Sequence, residues 1–184
     1  VNISALVFEQ QFLRFKELVR SNSDGEDFQS FAEGLPFENE DYKSEVRREA
    51  LRILKFASWQ PTDVGTGRLL KAMIQAIEID DRSLGLRNNL VGWQNRFGPK
   101  RRSHQALIEA LDDGPACTRL EKWLLDFYQG GLAVDEAFET LRGLGCKRYD
   151  LLAYLFFLKD AKSFMPISPT YFDEAFRMLE IGLI

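Results

Sequence analysis

Apolar residues recur at spacings of three and four from one end of the chain to the other, and strict alternation is nowhere sustained over a strand's length, which predicts an all-α protein. Phe8, Phe12, Phe15 and Val19 stack on one face of a first helix while Glu9, Gln10, Lys16 and Glu17 take the other, and Ser21 to Gly25 ends it. Asp27 to Gly34 reads as one or two helical turns closed by Gly34 and Pro36, with Phe28 and Phe31 pointing inward. Tyr42, Val46, Ala50, Ile53 and Ala57 mark the next helix, behind the acidic opening Glu38, Glu40 and Asp41 and stopped by Pro61. Thr62 to Arg68 supplies capping residues and glycines before a helix that turns Leu70, Met73, Ile74 and Ile77 inward and ends at Asp80-Asp81.

Beyond a mixed stretch from Arg82 to His104, helices are predicted around Leu107, Ile108 and Leu111, then around Cys117, Leu120, Leu124 and Phe127 up to Gly130-Gly131. A shorter one follows around Val134, Ala137, Phe138 and Leu141, ended by Gly143 and Gly145. Leu151 to Leu158 is apolar at every position, so it should be the most enclosed helix, the rival reading being a buried strand; Leu and Ala without Val, Ile or Thr favour the helix. Ser168-Pro169-Thr170 opens a last helix carrying Phe172, Ala175, Phe176 and Leu179. The expected fold is an irregular multi-helix bundle of about eight or nine helices, centred on Leu151 to Leu158 and ringed by Phe-rich amphipathic helices. Its fifteen phenylalanines should dominate the core.

A chain of 184 residues is expected to form a single domain over 1–184. A chain of this size buries roughly 70% of its unfolded surface, so it requires no disulfide or metal staple. A soft boundary lies within 80–99, the least periodic region, and the apolar stop at Leu183-Ile184 suggests a piece cut from a longer protein. No internal repeat is present. No apolar run approaches the roughly 20 residues of a membrane span, and the N-terminus does not resemble a secretory signal. Cys117 and Cys146 lack redox or zinc spacing and read as buried thiols of a reducing compartment. A cytoplasmic location is expected. One histidine, His104, excludes an HExxH site, an HNH centre and any His-rich metal site within the chain, so no catalytic residue, metal or cofactor is assigned.

Charge changes the picture most. Residues 1–81 carry 10 basic and 15 acidic residues and residues 105–184 carry 8 and 13, yet residues 82–104 hold six bases and no acid. Such a window is a local positive field that attracts phosphates even in a chain of net charge −4. The candidate nucleic-acid-binding residues are Arg87, Trp93, Asn95, Arg96, Lys100, Arg101, Arg102 and His104, with Arg82 completing the cations. Arginine and lysine would contact phosphates; Trp93 and Phe97 would stack on an exposed base; Asn88, Asn89, Gln94, Asn95 and Ser103 would donate or accept hydrogen bonds. His104 would be exposed or beside a phosphate. The competing reading is a cationic surface that only solvates the protein or pairs with its own acids, with Trp93 in the core.

Other constellations have simpler explanations. Gly65-Thr66-Gly67-Arg68 can make an anion nest, but without a P-loop pattern or preceding strand it reads as helix capping. Asp41-Tyr42-Lys43 and Asp160-Ala161-Lys162 imitate nuclease carboxylate and lysine pairs at helix ends, without a sheet to organise a metal.

Tyr154-Leu155-Phe156-Phe157-Leu158-Lys159-Asp160, then Phe164-Met165-Pro166-Ile167-Ser168-Pro169, then Phe172-Asp173-Glu174-Ala175-Phe176 resembles a helical region of uncharacterised bacterial proteins, also found upstream of HNH-type nuclease domains in restriction-like, phage-defence proteins. The resemblance covers about a seventh of the chain and carries no catalytic residue. It implies an accessory or targeting domain of a protein that could carry a nuclease in a C-terminal domain; joined to the basic window, the expectation is a non-catalytic nucleic-acid-binding domain, DNA favoured. The alternative is a protein-interaction module that uses the basic window or the apolar C-terminal edge, toward another domain or a second copy.

Overall fold

The computed structural model describes residues 3–94 and 102–181, and the chain divides into two compact units, Val1–Ser44 with Ser168–Ile184 and Glu45–Ile167. The fold is all-α: the described residues form α1 (Ala5–Asn22), α2 (Gly34–Glu40), α3 (Tyr42–Leu54), α4 (Arg68–Ile77), α5 (Gln105–Ala110), α6 (Gly114–Tyr128), α7 (Val134–Gly143), α8 (Tyr149–Lys159) and α9 (Pro169–Met178). Two-residue strands β1 (Asp80–Asp81) and β2 (Leu86–Arg87) add one antiparallel ladder. The described part of the aperiodic stretch, 80–94, lies inside the second unit, while the unit boundaries fall near Ser44 and Ser168.

In the first unit the apolar face of α1 is an aromatic ladder. Phe12 stacks on Phe8 and Phe15 at 6.0 and 6.1 Å between ring centres, and Phe28 meets Phe12 and Phe15 edge-on at 5.6 and 5.2 Å. Hydroxyl and amide side chains end the helix: Asn22 Nδ2 donates to the Leu18 carbonyl and Ser23 Oγ to that of Val19, each at 2.7 Å. Two expectations are corrected here. Gly34 opens α2 instead of closing a helix, and Pro36 sits in the first turn of that helix, where its missing N–H leaves no intrahelical bond unmade. Phe31 does not point inward but is 68% exposed, and Phe8 is half exposed, because a unit this small has too little volume to enclose its aromatic rings.

The second unit is assembled around α6, which packs against α4, α5 and α7. Its core is mainly aliphatic: Leu69, Leu70, Met73 and Ile77 from α4 join Leu120 and Leu124 from α6 and Leu141 from α7, all buried. Phenylalanine therefore does not dominate; Phe127, Phe156 and Phe157 are the buried ones among the described residues. The segment that is apolar throughout is the helix α8, with Leu151, Leu152 and Tyr154 through Leu158 buried. What surrounds it within this unit is not a ring of Phe-rich helices. Tyr154 donates its hydroxyl to the Ala76 carbonyl of α4 at 2.7 Å, Tyr128 of α6 donates to Leu155 at 2.9 Å, and Phe127 packs on Phe156 at 4.7 Å. Burial raises the pKa of both phenols, so they remain hydrogen-bond donors. The last carbonyls of α8 are met from α3, where Arg47 donates from Nε to Phe157 at 3.0 Å and from Nη2 to Leu158 at 3.1 Å.

One charge lies on the buried stripe of α6. Glu121 falls four residues after Cys117 and three before Leu124, and it is fully buried. Its Oε2 accepts the backbone N–H groups of Gly65 and Gly67 at 2.7 and 3.1 Å, and its Oε1 those of Leu69 and Leu70 at 2.7 and 3.1 Å. The Gly65-Thr66-Gly67-Arg68 turn is thus an anion nest whose anion is the protein's own carboxylate, and it caps α4 from across the fold. Both glycines have positive φ, +85° and +78°, and a Cβ on Gly65 would lie 3.0 Å from Thr118 Oγ1. Glu121→Ala leaves four N–H groups without a partner, three of them buried, and is expected to lower the unfolding free energy by on the order of 3 kcal/mol in urea titration. Glu121→Gln should lose about half as much, since it keeps one acceptor oxygen, and an Ala variant as stable as wild type would remove the carboxylate from this role.

Candidate functional site

The acid-free window begins in the hairpin after α4. Asp81 sets the turn, its Oδ1 accepting from Ser83 N at 2.9 Å, Ser83 Oγ at 2.6 Å and Leu84 N at 3.2 Å; these bonds, the Ser83 hydroxyl first, hold its carboxyl below the usual range. Asp80 pairs with Arg87 across the ladder. Arg87 Nη2 lies 3.6 Å from Asp80 Oδ2, and the guanidinium stands 5.8 Å from the centre of the Trp93 ring. Both side chains of the ion pair are partly exposed, so little energy holds Arg87 to Asp80 and the cation can exchange partners.

Beneath this surface the polar side chains are used internally. Asn88 is fully buried; its Nδ2 donates to the Ile77 carbonyl at 2.8 Å and its Oδ1 accepts from Leu90 N at 2.9 Å. Trp93 donates its indole N–H to the Asn88 carbonyl at 2.7 Å. Four residues converge at a neck. Ser103 N donates to the Gly92 carbonyl at 2.8 Å, and Asp150, in the first turn of α8, accepts from Gly92 N at 3.0 Å and from Ser103 Oγ at 2.5 Å on the same Oδ2. A Cβ on Gly92 would stand 3.1 Å from Ser103 Oγ, so the neck closes this tightly only with glycine. Arg148 Nε, 3.7 Å from Asp150 Oδ1, places a cation beside the buried carboxylate.

His104 completes the base of the window. It is fully buried, with Nε2 2.8 Å from Glu78 Oε1 just beyond the end of α4, while buried Nδ1 has no hydrogen-bond partner. Desolvation lowers its pKa, outweighing the pull of Glu78, so the ring is neutral at neutral pH. The expectation of an exposed or phosphate-adjacent histidine is corrected on this ground. Asn88 and Ser103 are withdrawn as ligand contacts for the same reason, since their polar atoms are spent inside the fold.

The structure therefore sets the exposed Arg87 beside Trp93, whose ring is partly buried against the core, leaves Arg102 half-buried next to Ser103, and puts His104 underneath. Arg82 is exposed on the hairpin. Asn95, Arg96, Phe97, Lys100 and Arg101 lie outside the described residues. The residues that sequence reasoning missed are acids: Asp150 and Glu78, which anchor the window, and Glu121. The signal for Glu121 was a carboxylate on an otherwise apolar face; Asp150 and Glu78 carry none, because helix-end acids are ordinary.

The other carboxylate clusters have local work. Asp160 accepts from Lys162 N at 2.9 Å and Ser163 Oγ at 2.6 Å, closing the turn after α8, and Glu40 pairs with Lys43. Among the described residues no group of three or more His, Cys, Asp or Glu side chains is arranged to hold a metal ion, and no helix is long and apolar enough to cross a membrane. Cys117 and Cys146 are free and buried; desolvation pushes the Cys146 thiol up to about 12, which leaves it protonated and unreactive. The chain matches no family model, no curated protein and no solved structure.

A histidine whose folded pKa is depressed stabilises the fold above its unfolded pKa and loses that contribution as pH falls, because the unfolded chain then binds the proton more readily. Thermal unfolding followed from about pH 8 to about pH 5 should show stability declining as pH drops below the ordinary histidine value of about 6.5. In His104→Gln that part of the decline should vanish. An unchanged pH profile in the variant would show that His104 does not govern it.

Proposed function

We propose that this chain is a non-catalytic nucleic-acid-binding accessory domain, DNA favoured, that contacts phosphates through the basic window 82–104. One observation carries the reading: the only long acid-free stretch of an acidic chain is a cationic window whose flanks are pinned from beneath by Asp150, Asn88 and the His104 to Glu78 contact. Buried polar anchoring of this kind reduces the entropy lost when a binding segment meets its ligand. Arg87 contributes a cation in a weak pair that a phosphate can replace, and Trp93 a partly exposed ring beside it. Arg82, Arg96, Lys100, Arg101 and Arg102 supply the remaining positive charge of the window in the sequence. Trp93 and Asn95 complete the contact set; His104 acts from below as a support and not as a ligand. Membership of a bacterial nuclease or phage-defence protein, with catalysis in a further domain, rests on the resemblance of residues 154–176 alone.

A second reading, a protein-interaction module, is favoured by the exposed Tyr171 and Met178 on α9, an apolar C-terminal edge suited to another domain or a second copy.

Fluorescence anisotropy with labelled DNA and RNA, single- and double-stranded, separates the two. Neutralising about five phosphates of duplex DNA should give a log-log salt slope near −4 to −5. Lys100→Ala/Arg101→Ala/Arg102→Ala should flatten that slope by about 3 with the fold retained by circular dichroism. Absence of binding at low salt, or a triple variant that binds like wild type, overturns the reading; retained nucleic-acid behaviour with loss of self-association in Tyr171→Lys would favour the second.

A further inference from the structure

On the second unit, apart from the basic window, α7, α8 and the segment 163–167 enclose an open groove of about 540 Å³. Its α8 wall is Tyr149, Leu152, Ala153 and Phe156, a spacing of three, one and three that presents one ridge of a helix, and Phe138 and Phe164 close the sides. Leu152 and Phe156 form a buried floor, and Phe156 meets Phe164 edge-on at 5.3 Å, so the floor is preformed. The rim is not covered. Val134, Tyr149 and Met165 are 42%, 51% and 61% exposed around the same depression, an arrangement in which apolar side chains converge on one site instead of scattering singly. Met165 adds an unbranched, adaptable side chain of the kind that suits partner surfaces.

The charged residues that line the groove are acidic, with one cation, Arg142, at its margin over the Phe138 ring at 5.7 Å. Asp135 and Glu139 line it from one face of α7, and no lysine or arginine is among the described lining residues. Glu139 pairs with Arg142 at 3.2 Å, with its side chain 69% exposed, a pair weak enough to be exchanged for a partner's cation. We propose that this groove is a docking site for an amphipathic helix of a partner protein, whose apolar ridge fills the trough and whose flanking Lys or Arg side chains meet Asp135 and Glu139. An open trough walled by a helical ridge takes a helix with anchors at i, i+3, i+4 and i+7. The acidic edge selects a basic helix over an acidic one. This partner site is separate from the phosphate-binding window and stands or falls independently of it.

The test is anisotropy of a fluorescein-labelled Leu/Lys peptide of about five helical turns, with leucine at i, i+3, i+4 and i+7, against a Leu/Glu peptide of the same pattern, on the full chain. The Leu/Lys peptide should bind saturably and the Leu/Glu peptide about tenfold more weakly. Met165→Lys, at an exposed position, should weaken the Leu/Lys peptide about tenfold with an unchanged melting temperature, and Asp135→Asn/Glu139→Gln should bring the two peptides to within about twofold of each other. Equal binding to wild type and Met165→Lys, equal binding of the two peptides to wild type, or binding of neither overturns the proposal.

Discussion

The carboxylate of Glu121 is the contact on which the second unit hangs. A buried charge persists only where its oxygens are fully engaged, and here four backbone N–H groups from the Gly65 turn and the first turn of α4 supply that engagement. The bond set fixes where α4 starts relative to α6. From there α4 places Leu69, Leu70, Met73 and Ile77 in the core, offers the Ala76 carbonyl to Tyr154 of α8, and delivers the Ile77 carbonyl and Glu78 to Asn88 and His104 under the basic window. Core, α8 and candidate interface thus share one point of registration.

The window shows how a cationic surface is supported in an acidic protein. Asn88, Ser103 and His104 face inward, bonded to backbone groups and to Asp150 and Glu78, while Arg82 and Arg87 face outward. Asp150 does two things at once: it stands in the first turn of α8, where a negative charge is favourable, and it ties Gly92 to Ser103. The opposite polarity appears at the groove between α7 and α8, where apolar side chains are bordered by acids. The second unit thus carries two surfaces of different chemistry, one cationic and one apolar with an acidic border.

Much of the fold was legible in the chain. The three-and-four spacing located α1, α3, α4, α5, α6, α7 and α9 because an amphipathic helix must repeat with the period of its own backbone, and the uniformly apolar run marked α8, in which Leu151, Leu152 and Tyr154 through Leu158 are buried. What was misread follows from short elements and from burial. Gly34 and Pro36 signal a helix end and a helix start equally well, and the two-residue ladder of β1 and β2 is too short to leave an alternation. The phenylalanines were assigned to the core by their chemistry, yet Phe8 is half exposed and Phe31 largely so in a unit too small to enclose them. At the candidate site the cations were legible from composition alone. Asn88, Ser103 and His104 were not distinguishable from surface ligands, since the same donors and acceptors serve either purpose.

By itself, then, the sequence determined periodicity and charge: an all-α fold, the most enclosed helix, and the placement of positive charge in one window, all of them local properties that a neighbour three or four residues away, or a count of ionised groups, suffices to establish. Tertiary structure alone decided which polar atoms were spent inside the fold. Glu121 reaches a turn more than fifty residues away, Asp150 closes a neck 47 and 58 residues earlier in the chain, and His104 meets Glu78 across 26. Such pairings depend on how helices pack and on the cost of leaving a buried donor or acceptor unmet, and neither quantity is written in the spacing of residues along one helix.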